Sequence, residues 1–281
     1  MLVFPNCKIN LGLQVTGKRA DGYHNIKTIF YPLDLKDALE IISSNYPQAS
    51  VVFSQTGIPI AGDENDNLCI KAYHLLKKDF PDLPPVKIHL HKSIPMGAGL
   101  GGGSADGAFT LQLLNDTFHL NLSNGQLIAY ALQLGSDCPF FIINKPCFAE
   151  GRGELLEPIA VSLKGYRLVL VNPGIHVNTG WAFTQLAIAN NQTKTIKACK
   201  TLQSIIVQPI ANWKDELIND FEKPVFHQYP AIKAIKDGLY QQGALFASMS
   251  GSGSSVYAIF ENENLPAFHF PESYLVRNIE L

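Results

Sequence analysis

The chain has 281 residues, of which 46% are hydrophobic and 16% are charged, and its formal net charge is −2. This composition is typical of a globular protein with enough apolar material for one large domain or two ordinary ones. The slight negative charge and the absence of long basic runs argue against nucleic-acid binding, and no apolar run reaches the length of a membrane span.

The first element is a strand at residues 7 to 15, where apolar and polar residues alternate with a period of two. Lys8 and Asn10 lie on the same, non-core face of this strand. One interpretation is a solvated face. The other is a cation and an amide aimed at a ligand, and asparagine is uncommon within strands. The sequence leaves both open.

A polar turn follows and ends in the aromatic pair Tyr23 and His24, before strand-like sequence resumes at Ile26. The two rings either pack in a hairpin or form a stacking and hydrogen-bonding platform for a flat ligand. Short strands are expected at 39–42 and 51–53. Next, Asp66 or Asn67 is expected to cap a helix, and alternation from Val86 to Leu90 predicts another strand.

A glycine-rich loop and a helix come next, with Ser104 at or near the N-cap of that helix. Such a loop lets the backbone approach a ligand closely, and the N–H groups at a helix start favour phosphate. The predicted phosphate loop, which we call the first loop, consists of Pro95, Met96, Gly97, Ala98, Gly99, Leu100, Gly101, Gly102, Gly103 and Ser104.

The surroundings of the first loop exclude three common phosphate-binding motifs. The dinucleotide fingerprint requires its glycines directly after a strand, whereas Ser93-Ile-Pro intervenes here. The Walker motif requires a lysine before Ser104, and it is absent. The His-Arg-Asp and Asp-Phe-Gly motifs of protein kinases are also missing. Phosphate binding is nevertheless favoured over a plain turn, because so many glycines are entropically costly.

A capping box at Ser123 predicts a second helix that Gly135 ends. Asp137 follows directly and is either a structural cap or a placed acid or base. Pro139 is expected to limit helix formation at Cys138. The apolar flank of Cys138 favours a buried thiol over a nucleophile.

The second half of the chain begins at a soft boundary near residues 150–158. We predict a strand at 166–171, a helix or turn that contains Phe183, and a polar exposed segment at 190–204. Helices are expected at 212–221 and 229–241. Strands are expected at 244–249 and 256–260, with a final edge strand at 275–280. Between the strands at 244–249 and 256–260, residues 250–255 form a glycine–serine loop. Three interpretations are open: the loop is only a flexible hairpin, it touches phosphates, or it closes over the first loop.

The five cysteines, Cys7, Cys69, Cys138, Cys147 and Cys199, are scattered and form no CxxC motif. This arrangement predicts reduced thiols, most of them buried, and a cytoplasmic protein.

Several separated segments together resemble the GHMP kinases, which include galactokinase and the homoserine and mevalonate kinases. The first loop, the Lys8/Asn10 strand and the late glycine–serine loop carry this resemblance. Within the superfamily, the chain resembles the branch that phosphorylates the 2-hydroxyl of a cytidylyl methylerythritol in non-mevalonate isoprenoid synthesis. The segments that carry this finer resemblance are Lys8-Ile-Asn-Leu, Arg19-Ala-Asp-Gly-Tyr-His24, Gly135-Ser-Asp-Cys-Pro-Phe-Phe141 and Asn172-Pro-Gly.

The resemblance implies an α+β fold of two domains. Residues 1–155 would form a domain like the second domain of ribosomal protein S5 and carry the ATP loop, and residues 156–281 would form a ferredoxin-like domain. ATP and Mg²⁺ are the implied cofactors, and a small cytidylyl sugar alcohol is the implied substrate. The acidic magnesium ligand of some sister kinases has no obvious counterpart, and a monomer and a weak dimer are both compatible with the sequence.

The same resemblance implies a role for individual residues. Lys8 and Asp137 match the catalytic pair, and Asn10 matches an amide that orients the substrate. Tyr23 and Phe183 match aromatic residues that sandwich the cytosine, and His24 matches the group that hydrogen-bonds to the edge of the base. Residues 97–104 match the loop that holds the phosphates of ATP.

Two other functions compete with this one. Another GHMP kinase, for homoserine or a mevalonate-pathway substrate, is disfavoured by Tyr23 and His24, because a small aliphatic substrate needs no aromatic platform. A non-catalytic nucleotide-binding regulator is disfavoured by the presence of Lys8, Asp137 and the intact loop.

Overall fold

The computed structural model describes residues 1–44, 50–60, 62–190, 200–262 and 265–281. The chain forms two compact units, each assembled from separate stretches of sequence. The first unit comprises Met1–Lys8, Asp34–Met96 and Gly101–Lys145. The second unit comprises Ile9–Leu33, Gly97–Leu100 and Pro146–Leu281. These units partition the chain differently from the expected domains 1–155 and 156–281, and the boundary at residue 155 stays a prediction.

The described residues contain twelve strands and eight α-helices. The strands are β1 (Leu2–Val3), β2 (Asn6–Lys18), β3 (His24–Lys36), β4 (Ala38–Ser43), β5 (Val51–Gly57), β6 (Val86–Lys92), β7 (Cys147–Glu150), β8 (Leu155–Pro158), β9 (Tyr166–Asn172), β10 (Phe246–Met249), β11 (Val256–Glu261) and β12 (Leu275–Glu280). The helices are α1 (Leu68–Asp79), α2 (Gly102–Thr117), α3 (Asn124–Leu134), α4 (Cys138–Ile143), α5 (Thr179–Asn190), α6 (Leu202–Ile206), α7 (Glu222–Gln228) and α8 (Pro230–Gln241).

The first unit combines a four-stranded sheet, in the order β1-β4-β6-β5, with helices α1 to α4. Strand β5 runs parallel to β6, whereas β1 and β4 pair antiparallel. Helix α2 packs against α1, α3 and α4. The alternate apolar residues Val86, Ile88 and Leu90 of β6 are buried, as their spacing predicts.

The second unit contains two four-stranded sheets, in the orders β2-β3-β7-β8 and β10-β11-β9-β12. The second of these sheets is antiparallel throughout, and α8 packs against β10 and β11. Helix α5 packs against α7. Apolar residues from these helices and strands form one continuous core. Antiparallel sheets with helices segregated on them confirm the predicted α+β class.

Several local predictions are confirmed, because each rests on short-range chemistry. The side chain of Asn67 caps α1 by accepting a hydrogen bond from the backbone N–H of Cys69. Ser123 and Gln126 form the predicted capping box of α3, and Gly135 ends that helix. Strand β12 is an edge strand, paired only with β9 within its sheet.

Three local predictions need correction or completion. The prediction of a helix at 212–221 is wrong. The chain forms a short 3₁₀ helix at Ile210–Asn212, and Asn219 then forms an isolated parallel β-bridge with Leu13 of β2. Pro139 does not prevent a helix at Cys138, because a proline in the first turn lacks only an N–H that has no helical partner. Residues 191–199 of the polar segment, including Cys199, lie outside the described residues.

None of the helices in the described part of the chain combines the length and the apolar character that a bilayer span requires.

Candidate functional site

Strand β2 carries two of the predicted site residues, and both are buried. Cys7 and Ile9 are fully buried, as the alternation predicts. Lys8 and Asn10 on the opposite face are only 3% and 2% exposed, so this face is not solvated. A strand that buries a lysine and an asparagine must provide partners for them, because an unpaired buried charge is strongly destabilising.

Lys8 forms an ion pair with Asp137, and both residues belong to the first unit. The Nζ atom of Lys8 lies 3.4 Å from Oδ2 of Asp137, and the aspartate side chain keeps 31% of its surface exposed. Asp137 precedes α4, yet its side chain makes no capping hydrogen bond to that helix. The structural-cap interpretation is therefore wrong. The carboxylate lies beside the Lys8 ammonium and is partly exposed.

Glycine is required where the first loop enters α2. Gly101 is the N-cap, with φ of 70°, and a methyl group at this position would lie 3.2 Å from Cε of Lys8 and 3.0 Å from the ring of Phe141. Ser104 is therefore the third residue of the helix and not its cap, because Gly102 and Gly103 already have helical geometry. The helix N-terminus and the Lys8–Asp137 pair are thus neighbours in the first unit.

The first loop is divided between the two units. Pro95 and Met96 belong to the first unit, where Met96 packs against Gly103 and keeps 44% of its surface exposed. Gly97, Ala98, Gly99 and Leu100 belong to the second unit, and Gly101 returns to the first.

Within the second unit, the glycine–serine loop at 250–255 holds the first loop directly. The Ser250 hydroxyl donates to the carbonyl of Gly99 at 2.8 Å, and the N–H of Ser255 donates to the carbonyl of Ala98 at 3.2 Å. A side chain at Gly99 would overlap the Ser250 carbonyl, so only glycine fits there. The glycine–serine loop at 250–255, which we call the second loop, therefore closes over residues 98–99, which is one of the interpretations that the sequence left open.

Two buried asparagines fix the second loop in turn. Asn172 donates to the hydroxyl of Ser255 at 3.0 Å, and Asn219 donates to the carbonyls of Met249 and Gly251 at 2.7 and 2.9 Å. Asn172 lies in a segment that the resemblance had selected. Asn219 was missed, because it sits in a stretch whose pattern suggested a helix.

Asn10 also belongs to the network around the second loop. Its side-chain amide donates to the Thr28 hydroxyl at 3.0 Å, and its backbone N–H donates to Ser250 at 3.3 Å. The buried Tyr257 hydroxyl donates to the Asn10 carbonyl at 2.8 Å. These contacts fix the position of Asn10 in the second unit and connect it to the hydroxyl that holds Gly99.

His24 and Phe183 form a face-to-face stack in the second unit, with ring centroids 4.4 Å apart and an interplanar angle of 9°. Phe183 is also packed edge-on against Phe221. Burial and the charge of Lys18 hold the pKa of His24 below its usual value. The imidazole is thus neutral near pH 7 and keeps both a donor and an acceptor nitrogen.

Tyr23 is 54% exposed, and the Arg152 guanidinium lies 4.7 Å from the centroid of its ring. The Arg152 side chain also lies 3.6 Å from the carboxylate of Glu154. Sequence analysis missed Arg152, since a lone arginine between two glycines has no pattern. The second unit thus contains two ring contacts at the predicted base-binding residues, the His24–Phe183 stack and the Tyr23–Arg152 contact.

Cys138 is not a nucleophile. Burial raises the pKa of its thiol to about 12, although a hydrogen bond with Ser104 opposes the shift. The thiol is therefore protonated at neutral pH, and only the thiolate is reactive. Cys7, Cys69 and Cys147 are likewise buried, as predicted, and none of them forms a disulfide within the described residues.

No group of three or more histidine, cysteine, aspartate or glutamate side chains in the described ranges has the geometry of a metal site.

Two family models match the chain. The GHMP kinases N terminal domain matches residues 67–145, and the GHMP kinases C terminal domain matches residues 203–268. The first of these ranges contains the first loop and Asp137. The two matches and the mixed helix and sheet content together confirm the predicted α+β fold of two GHMP kinase domains.

The chain is also similar to named proteins over most of its length. It is 53% identical to the 4-diphosphocytidyl-2-C-methyl-D-erythritol kinase of Bacteroides fragilis over 94% of this chain and 93% of that protein. It is 54% identical to the protein of the same name from Bacteroides thetaiotaomicron, with the same coverage. A crystal structure of a 4-(cytidine 5′-diphospho)-2C-methyl-D-erythritol kinase aligns with a TM-score of 0.76 and 30% identity, covering 92% of this chain and 90% of that one.

Proposed function

Because the chain belongs to the 4-diphosphocytidyl-2-C-methyl-D-erythritol kinases, a family of GHMP kinases, we propose that it phosphorylates the 2-hydroxyl of 4-diphosphocytidyl-2-C-methyl-D-erythritol. The reaction uses ATP and belongs to the non-mevalonate pathway to isoprenoid precursors. The observation that supports this proposal is the ion pair between buried Lys8 and the partly exposed carboxylate of Asp137, beside the N-terminus of α2.

ATP binds through its phosphates to the first loop, residues 95–104. The N-terminus of α2 supplies unpaired N–H groups and the positive end of the helix dipole. Mg²⁺ bound with ATP would supply charge neutralisation for the transferred phosphoryl group. The bonds from Ser250 and Ser255 keep residues 98–99 in place, so the loop is preorganised before the nucleotide arrives.

Asp137 acts as the general base. It accepts the proton of the acceptor hydroxyl while the acceptor oxygen bonds to the γ-phosphorus and the bond to the β–γ bridging oxygen breaks, releasing ADP. The transition state of such transfers is loose, so positioning and charge stabilisation supply most of the catalysis. A carboxylate that caps nothing and remains partly exposed suits this role.

Lys8 stabilises the negative charge that develops on the acceptor oxygen and on the transferred phosphoryl group. Its position in the interior of a strand fixes the ammonium, whereas a surface lysine would sample many rotamers. Asn10 lies two residues further along β2 and orients the substrate.

The cytosine of the acceptor is recognised by Tyr23, Phe183 and His24. Stacking on aromatic rings contributes about 1–3 kcal/mol per base, by analogy with single-strand binders. In this structure the His24 ring is stacked on one face of the Phe183 ring, and the Arg152 guanidinium lies over the ring of Tyr23. The base therefore replaces one of these two contacts when it binds, and the neutral His24 ring then pairs with its polar edge.

The test is ADP release from MgATP with the cytidylyl acceptor, run beside homoserine, mevalonate and no acceptor. We expect turnover only with the cytidylyl compound. Turnover with homoserine or mevalonate instead would identify a different GHMP kinase. ATP binding without turnover of any acceptor would favour a nucleotide-binding regulator.

Two further properties belong to the same proposal. We propose a cytoplasmic location, which is supported by the four described cysteines: they are buried and form no disulfide within the described residues, whereas oxidising compartments favour disulfides. For the oligomeric state, a monomer or a weak dimer is proposed, and sedimentation of the purified protein tests it.

A further inference from the structure

A second lysine–aspartate cluster, separate from Lys8 and Asp137, lies deep in the first unit. The Nζ atom of Lys92 contacts Oδ2 of Asp37 and lies 2.8 Å from Oδ2 of Asp106. The side chains of Lys92 and Asp37 are fully buried, and that of Asp106 is 4% exposed. We call these three residues the buried triad. Nothing in the proposed chemistry uses them.

The buried triad joins the segment before the first loop to the helix after it. Oδ1 of Asp37 accepts hydrogen bonds from the backbone N–H groups of Ser93 and Ile94, at 2.6 and 2.9 Å. Lys92 ends β6, and Asp106 lies in the second turn of α2. A methyl group on Gly102 would lie 3.3 Å from Nζ of Lys92, so the ammonium sits beside the first residue of that helix.

The charge of the buried triad is unbalanced if both carboxylates ionise, because one ammonium then faces two negative groups. Oδ1 of Asp106 is buried and accepts no hydrogen bond from the described residues. Burial raises the pKa of Asp106 to about 7, and the adjacent Asp37 carboxylate adds to this effect while Lys92 opposes it. Burial also favours the neutral form of Lys92, but the two carboxylates outweigh it and raise the lysine pKa.

We propose that Asp106 is a positioning residue for ATP: together with Lys92 and Asp37, it sets the start of α2 so that its N-terminus binds phosphate. The inference rests on the proposed function only in placing ATP at the first loop. When Asp106 is protonated, the buried triad has no net charge and does not offset the positive end of the α2 dipole. When Asp106 ionises, a net negative charge forms beside the residues that receive a polyanion.

Few other titratable groups face Asp106. Asp37 approaches from the segment before β4, and Lys92 approaches from the end of β6. Cys69 of α1 is also near, and its pKa is raised by burial and by the Asp106 charge, so it stays a neutral thiol. His176 also lies beside the first loop, 3.4 Å from where a methyl group on Gly97 would sit. We therefore assign to Asp106 only the part of the pH response of ATP binding that Asp106→Asn removes.

The experiment measures the dissociation constant of a non-hydrolysable ATP analogue by calorimetry from pH 6 to 9, together with KM for ATP, KM for the acceptor and kcat. Wild type, Asp106→Asn and Asp106→Leu are compared. Asp66→Asn is the matched control, because Asp66 pairs with Lys71 at 2.7 Å in the same unit but is 78% exposed.

We expect wild type to bind the analogue several-fold more weakly at pH 8.5 than at pH 6.5, relative to Asp106→Asn at the same pH values. The titration of the nucleotide itself is common to both proteins and cancels in this ratio. Asp106→Leu, which leaves Lys92 with one carboxylate and removes the polar contact, should raise KM for ATP at least tenfold and leave KM for the acceptor near wild type. Asp66→Asn should match wild type throughout.

A ratio between wild type and Asp106→Asn that does not change with pH would overturn the inference, and so would an equal rise of both KM values in Asp106→Leu. If Asp106→Leu does not fold, the pH ratio of the isosteric Asp106→Asn decides alone. Because binding is measured without acceptor, a wrong acceptor assignment leaves this test intact. Failure of wild type to bind the analogue would instead refute the placement of ATP.

Discussion

Two lysines approach the start of α2 in the first unit, and their surroundings differ in one decisive respect. Lys8 meets one carboxylate, Asp137, whose side chain is 31% exposed. Lys92 meets two carboxylates that are almost completely buried. The Asp137 carboxylate is therefore accessible for the proton transfer that we propose, whereas the carboxylates around Lys92 are not. In this proposal the exposure of the carboxylate, and not the presence of a lysine–aspartate pair, distinguishes the general base from the positioning residue.

The largest expected effect is on catalysis at the open pair. Asp137→Asn keeps the shape of the side chain but removes the general base, which should lower kcat by about 10²- to 10⁴-fold. Because Lys8 is buried and loses its ionised partner, we also expect the free energy of unfolding to fall, but by less than the about 3–5 kcal/mol that breaking a fully buried pair costs, since the Asp137 carboxylate is partly exposed. Steady-state kinetics and urea denaturation check both values; near-full turnover in a folded variant would contradict the assignment.

The next effect is on stability at the closed cluster. Lys92→Met leaves two buried carboxylates facing each other without a cation, and breaking a buried pair in this way typically costs about 3–5 kcal/mol. Urea denaturation of Lys92→Met beside Asp137→Asn measures the contrast. Equal destabilisation of the two variants would show that burial does not distinguish the clusters as we suppose.

A smaller effect is the pH dependence that Asp106 imparts to stability. Its pKa is about 7 in the folded chain and near 3.8 in the unfolded chain, so the folded state binds the proton more tightly. Its stabilising contribution is therefore complete below the unfolded pKa and is lost as the pH rises toward 7, by at most about 1.4 kcal/mol per pH unit.

Asp106→Asn lacks this titration and provides the control for it. The difference in unfolding free energy, wild type minus variant, should fall between pH 5 and 7 and then level off, as followed by urea denaturation at fixed ionic strength. A difference that rises with pH would reverse the sign and refute the assigned protonation.

The smallest expected effect is at an ion pair in which both side chains are exposed. Lys71 and Asp66 are 2.7 Å apart, with 45% and 78% of their side-chain surfaces exposed. Lys71→Met should change the unfolding free energy by no more than about 0.5 kcal/mol and leave kcat unaltered, because solvent screens such pairs. A larger change in the unfolding free energy or in kcat would contradict the view that the exposure of an ion pair, more than the distance between its charged atoms, sets its contribution.

The sequence alone was sufficient to predict those features that depend on residues close together in the chain. The capping box at Ser123 and the Asn67 cap are set by residues within three positions of each other, so a single sequence contains the full signal. The period-two pattern of β2 and β6 likewise follows from the alternation of side chains along a strand. The glycine spacing of the first loop predicted backbone geometry that the positive φ values of Gly97, Gly99 and Gly101 confirm.

Tertiary structure alone decided which polar residues meet. Lys8 and Asp137 are 129 positions apart (137 − 8), and the buried triad spans residues 37 to 106, so no local pattern links their members. Asn219 escaped prediction because its partners, the carbonyls of Met249 and Gly251, are supplied by another loop. Exposure is a property of the packed chain: packing leaves the side chain of Asp137 partly exposed, whereas the burial of Asp106 raises the pKa of that carboxyl to about 7.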